Sequence, residues 1–177
     1  MSNSSILVIS DSHGNIAALT TVLKWAGGIN LDAAVFLGDG YEDLSLASAR
    51  AGFIPSWHAV RGNGDYCFSV PDDLALEISG RTLFLAHGNR HNVREGCKSI
   101  SAAARNVGAE AALFGHTHIP YHATVNGIFL LNPGSVGRPR SDAGNTFAVL
   151  ECPDSGPLDA RFFRLINNGW ESSVEAC

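Results

Sequence analysis

Apolar residues in the first third of the chain come in short runs, each closed by glycine. Ile6–Ser10 is apolar and rich in β-branched residues, which predicts a buried strand. Behind it, Ile16, Leu19, Leu23 and Ala26 recur on one helical face. Asn15 is placed to cap that helix and Gly27-Gly28 to end it. Ala33–Leu37 and Ser56–Val60 predict two further strands, separated by a helix over Asp43–Ala51 that Gly52 stops. Strand, helix, strand, helix, strand is the order of an α/β layer.

The second half changes character. Leu74–Ser79 and Thr82–Ala86, split by Gly80-Arg81, predict a hairpin. Glu95–Val107 predicts a helix ended by Gly108. Ala111–Phe114, Tyr121–Val125, Ile128–Leu131, Phe147–Leu150 and Ala160–Leu165 then predict mostly strands, with turns at Gly127 and Asn132-Pro133-Gly134. These elements predict an α/β fold of two packed mixed sheets with helices outside, in one domain whose core spans about 5–165. Residues after Trp170 read as a loose tail.

Composition narrows the picture by exclusion. The 177 residues suffice for one domain, and 45% of them are hydrophobic. A net charge of −5 offers no extended basic surface for nucleic acid. No apolar run approaches a membrane span, and the N-terminus lacks the features of a signal peptide. Cys67, Cys97, Cys152 and Cys177 are far apart and read as reduced thiols, which with the missing secretory features predicts a cytoplasmic location. There is no G-x-G-x-x-G, no G-x-x-x-x-G-K-[ST] and no G-x-S-x-G, which argues against dinucleotide, P-loop and serine-hydrolase chemistry.

The polar residues at the ends of the strands carry the chemistry. Asp11-Ser12-His13-Gly14 follows the first strand, and its Asp and His can face one ion. Asp39 sits between Gly38 and Gly40 after the second, where a carboxylate can bridge two cations. Asn63, between Gly62 and Gly64, offers an amide oxygen suited to hard or borderline ions. His87-Gly88 and Gly115-His116-Thr117-His118 add imidazoles, the commonest metal ligands. Each piece alone is ordinary turn chemistry. Five strand ends carrying Asp/His, Asp, Asn, His and His/His in order are not.

This series resembles the pattern D-x-H…G-D…G-N…H…G-H-x-H of the calcineurin-like metallophosphoesterase superfamily, and within it the small single-domain prokaryotic phosphodiesterases. Length, the early Asp11-Ser12-His13-Gly14 turn and Asn132-Pro133-Gly134-Ser135 fit that group. The resemblance implies two divalent ions per chain, manganese first, with iron, zinc, nickel or cobalt as alternatives. Asp11, His13 and His118 would hold one, Asn63, His87 and His116 the other, and Asp39 would bridge them. Asp39, Asn63 and His116 would then serve catalysis through the metals and a hydroxide bridging them, which attacks a phosphodiester. The substrate would be a small phosphoester, a nucleotide among the candidates. A phosphomonoesterase, a dinucleoside-polyphosphate hydrolase and a non-catalytic scaffold, as in the retromer subunit of this fold, are the alternatives. The oligomeric state is left open.

Many superfamily members read Gly-Asn-His at the third motif, where the histidine can protonate a leaving group. Here Gly64 replaces it, and Asp65 is the neighbouring candidate acid. A histidine common two places after the fourth motif is replaced by Asn89. Asn63, Arg90, His91 and Arg138 are the candidate substrate contacts, with Arg140 beside them. His58 reads as a core histidine or one that supports a ligand, and His122 as packing.

Overall fold

The structure, a computed structural model, describes residues 3–166 and 169–172. The chain order is β1 (Asn3–Ile9), α1 (Ile16–Ala26), β2 (Ala33–Phe36), α2 (Asp43–Ala51), β3 (Trp57–Ala59), β4 (Asp73–Ile78) and β5 (Arg81–Ala86). A 3₁₀ turn at Asn89–His91 leads to α3 (Lys98–Asn106) and β6 (Ala111–Phe114). Then follow β7 (Pro120–Val125), β8 (Ile128–Pro133), β9 (Thr146–Pro153), β10 (Asp159–Ile166) and β11 (Gly169–Ser172).

The strands form two mixed sheets, one ordered β11-β10-β9-β1-β2-β3 and one ordered β4-β5-β6-β8-β7. In the first, β1, β2 and β3 are parallel, while β9 runs antiparallel to β1. In the second, β5, β6 and β8 are parallel, with antiparallel β4 and β7 at the edges. The expected α/β architecture of two packed sheets with outer helices is the one observed. One apolar layer joins the sheets through Ile6, Val8, Leu83, Leu85, Leu113 and Leu150. A second packs α1 and α2 on the first sheet, and a third packs α3 on the other. Truncating a leucine of the middle layer to alanine would cost about 2–5 kcal/mol. Strands clad on both faces need continuous apolar runs, and Ala111–Phe114 is buried throughout. Edge strand β7 alternates.

Asn15 caps α1 as expected, its side chain accepting from Ala18 N at 3.1 Å. Several boundaries differ from expectation. The helix expected over Glu95–Val107 begins at Lys98, because Gly96 takes φ 127° and breaks the backbone there. The β4–β5 turn falls on Ser79 and Gly80, with φ 51° and 74°, the pair of positive values a tight hairpin needs. Arg81 is thus drawn into β5, where it donates to Glu110 at 3.0 Å. The expected loose tail is corrected in part. Trp170, Glu171 and Ser172 pair with β10, whereas 173–177 lie outside the described residues. Among the described residues no helix is long and apolar enough to cross a membrane, and Cys67, Cys97 and Cys152 are free thiols. Cys177 lies outside them.

Candidate metal centre

The carboxyl ends of the parallel strands of both sheets meet at one edge of the sandwich. β1, β2 and β3 deliver Asp11, His13, Asp39 and Asn63 there, and β5 and β6 deliver His87, His116 and His118. Five of the eight non-glycine residues with left-handed φ in the described chain belong to this set: Asp11, His13, Asp39, His116 and His118. That conformation costs roughly 1–2 kcal/mol per residue. Tertiary packing must hold it. Gly115 permits the approach of two strands, since a Cβ there would strike Ser10 Oγ and come within 2.6 Å of Asp11 Oδ2.

The ring nitrogens are aimed by backbone carbonyls. His87 Nδ1 lies 2.7 Å from Leu37 O, and His118 Nδ1 lies 2.5 Å from Arg138 O. In the neutral ring each carbonyl takes the N–H, which turns the Nε2 lone pair toward the cleft. His118 Nε2 then lies 3.1 Å from Asp11 Oδ1 and 3.1 Å from His13 Nε2. His116 Nδ1 lies 3.2 Å from His87 Nε2. Asp39 Oδ2 sits between the two groups, 3.7 Å from His13 Nε2 and 3.6 Å from His87 Nε2. Atoms sharing one ion at about 2.1 Å are spaced by about 3.0–3.4 Å, close to these separations. Ligand atoms of Asp11, His13 and His118 form one cation-sized cluster, and those of Asp11, Asp39 and His87 another.

One buried atom decides whether the set suits a cation. With the facing imidazoles of His118 and His13 neutral, the inaccessible Asp11 Oδ1 has no donor, while Oδ2 takes Ser10 Oγ at 2.5 Å and His116 N at 3.0 Å. An orphaned carboxylate oxygen facing two imidazole nitrogens is a vacant acceptor site that a cation satisfies. Electrostatics agree. Burial alone would push the Asp11 carboxyl up, but contacts with His118 and His13 outweigh it and hold the group well below the usual carboxylate range. Burial, helped by His87 and Arg94, pushes His116 down to about 4, so it is neutral and free to ligate at neutral pH. At His118 burial opposes protonation, but Asp11 outweighs it and raises the imidazole.

A cleft of about 280 Å³ opens over these atoms, lined by His13, Asp39, Asn63, His116 and His118. Arg138 and Arg140 also line it. Arg94 also lines it. Sequence reasoning missed Arg94, since an exposed arginine before a helix looks like any solvated charge. Arg90 is elsewhere, paired with Asp72 at 2.9 Å in a small recess it shares with Asn63. Two candidates are corrected. His91 faces away, its Nε2 3.1 Å from Asp73 and its ring edge-on to Phe84. Asp65 is unsuited to be an acid, because its two oxygens accept four backbone N–H groups, from Asp39, Gly40, Tyr41 and Gly62, at 2.7–2.9 Å. It ties the second and third motif loops together. The Gly64 N–H occupies Asp39 Oδ1 at 2.6 Å, leaving Oδ2 as the atom facing the cleft. Asn132, Ser135 and Asp43 also brace the site. Asn132 Nδ2 donates to Gly115 O, Ser135 Oγ donates to Asp11 O, and Asp43 Oδ2 accepts from Ser12 and Gly14.

Comparison with known proteins agrees with this geometry. Residues 5–155 match the family model of the calcineurin-like phosphoesterase superfamily domain. The probable metallophosphoesterase YsnB of Bacillus subtilis is 30% identical over 164 residues, covering 93% of each chain. Phosphodiesterase YfcE of Escherichia coli is 27% identical over 169 residues, covering 82% of this chain and 86% of its own. Among solved structures, a conserved Streptococcus pneumoniae protein described as a predicted phosphoesterase superposes with a TM-score of 0.78 at 24% identity, covering 98% of both chains. Vps29 of Entamoeba histolytica, solved with Zn²⁺, gives 0.74 at 20% identity, covering 96% of this chain and 97% of its own. The chain belongs to the calcineurin-like phosphoesterase superfamily.

Proposed function

We propose that the chain hydrolyses phosphodiesters at two divalent ions, held by Asp11, His13 and His118 on one side and by Asn63, His87 and His116 on the other, with Asp39 between them. The observation that carries this reading is Asp39 Oδ2, nearly equidistant from His13 Nε2 and His87 Nε2 at 3.7 and 3.6 Å. Bound divalent ions lower the pKa of water to about 7 and polarise phosphate oxygens, supplying nucleophile and electrophile together. The protein's own groups do the rest. Arg94, Arg138 and Arg140 line the cleft and can take the non-reacting phosphate oxygens. The carbonyls of Leu37 and Arg138 keep His87 and His118 in the tautomer that ligates.

With Gly64 in place of a histidine and Asp65 bound to the backbone, the lining of the cleft supplies no carboxylic acid for the leaving oxygen. Good leaving groups are therefore preferred over ordinary alkyl monoesters, because acid help is worth about 10²–10⁴-fold. The substrate is a small phosphoester, and manganese is the first metal to try. A cytoplasmic location with reduced thiols is part of the same reading. The test is metal analysis of the purified protein joined to a phosphoester panel with each metal restored. Hydrolysis that falls steeply with leaving-group pKa supports the reading. Metal content without turnover of any ester would favour a non-catalytic scaffold instead.

A further inference from the structure

A second cavity, of about 640 Å³, adjoins the cleft. Its walls are apolar: Val93 before α3, Phe114 at the end of β6, Ile119, and Tyr121 and Val125 on β7. Arg94 and Arg140 line both spaces, and Thr117, between His116 and His118, lines the apolar one. The two spaces thus share a wall, a polar one of about 280 Å³ beside a larger apolar one. The polar space has room for a phosphate, whereas the apolar one has the volume and lining of a small-molecule site.

The rim is cationic. Arg94 and Arg140 line the junction and Lys98 the apolar space, and none of the three has an ion-pair partner among the described residues. Unpaired cations beside an apolar cavity fit a ligand that is anionic at one end and apolar at the other. The walls narrow the choice. The rings of Phe114 and Tyr121, both in the lining, lie 6.4 Å apart and are tilted by 55°. Guanidinium planes at the entrance stack on flat rings. Resting on the phosphodiesterase reading and deepening it, we infer that this cavity receives a planar aromatic substituent of the phosphoester, with Arg94 and Arg140 holding the phosphate at the junction.

Phosphonates that cannot be hydrolysed test this without turnover. On the manganese-loaded protein, 1-naphthylmethylphosphonate should bind on the order of 10–100-fold tighter than methylphosphonate, the gain expected for burying a ring system. Val125→Trp fills the cavity from a half-buried position outside the metal cluster. It should abolish that advantage and leave methylphosphonate affinity unchanged. In the unaltered protein, the naphthyl compound should block alkylation of Cys97, which lines the cavity, and not of Cys67, which does not. This second readout stands even if the tryptophan variant fails to fold. Equal affinity for the two phosphonates, or Cys97 alkylated at an unchanged rate, overturns the inference. Octylphosphonate binding as tightly as the naphthyl compound overturns its aromatic form. Naphthyl selectivity without hydrolysis of any ester would leave the cavity assigned and sink the phosphodiesterase reading. Hydrolysis without selectivity does the reverse.

Discussion

The two halves of the proposed metal site are built to different standards. Asp11 is fully buried, and its turn is held by Ser10, Ser135 and Gly137, while His118 is 4% exposed and fixed by Arg138 O. On the other side His87 is as tightly held, but His116 is partly exposed. Asn63 is exposed, and its amide makes no hydrogen bond among the described residues. On the proposed assignment one half is assembled before an ion arrives, and the other would have to immobilise Asn63 when it does. An ion bound by a preorganised site loses less to ordering, so the Asp11 half should bind first and more tightly.

The largest effect on this comparison comes from removing the residue between the halves. Asp39→Ala should reduce hydrolysis to background and metal content from two ions to one or none, with the fold retained by circular dichroism. Two ions at full occupancy in that variant would sink the bridging assignment. Next, Asn63→Ala and His118→Asn should separate the halves. Asn63→Ala should weaken only the second ion, roughly 10–100-fold by analogy with losses at supporting residues, leaving the first in place. His118→Asn should lose the first. Calorimetric titration of metal into the metal-free variants distinguishes them, and equal weakening of both ions in both would erase the asymmetry.

Protonation sharpens the same contrast. His116 is held down to about 4, below the ordinary histidine value near 6.5. The unfolded chain therefore takes up this proton first as pH falls. Its contribution to the stability of the metal-free protein is present above about pH 6.5 and lost between there and about 4. His118 is raised, so its contribution is present below the unfolded value and lost as pH rises through the folded one. Residue-resolved NMR of the metal-free protein should show the His116 ring titrating near pH 4 and the His118 ring above 6.5. The reverse order would mean that His118 is not the imidazole paired with Asp11.

The order of strands and the turns that carry Asp11, Asp39, Asn63, His87, His116 and His118 were legible because each buried parallel strand must end in a tight turn. Glycine marks those turns in the amino-acid sequence. The pairing of β9 with β1 was not legible, since it joins residues such as Leu7 and Val149 that local pattern cannot relate. Nor was the role of Asp65. Its four backbone donors come from two loops that meet only in the folded chain. Arg94 and the apolar cavity escaped for the same reason, because Val93, Phe114 and Val125 each have an ordinary place in their own element.

The smallest effect expected is at Asp43, and it measures how the Asp11 half is held. Asp43 Oδ2 accepts from Ser12 Oγ at 2.6 Å and from Gly14 N at 2.8 Å, bracing the turn between them that carries His13. Asp43 is only half-buried, so water can replace it, and the net loss on truncation is about 1 kcal/mol. His13 is the most exposed ligand of its half, with 20% of its side chain accessible. Asp11 and His118 keep all their own braces in this variant. Asp43→Ala should therefore weaken the first ion by no more than about tenfold, at the low end for supporting residues. Asp43→Asn, whose amide oxygen can take the place of Oδ2 and accept both bonds but without the charge, should lie between it and the wild type. If Asp43→Ala instead expels the first ion as completely as His118→Asn, the rigidity of that half rests on a single carboxylate rather than on several independent contacts. The contrast between the halves would then reduce to the placement of one loop.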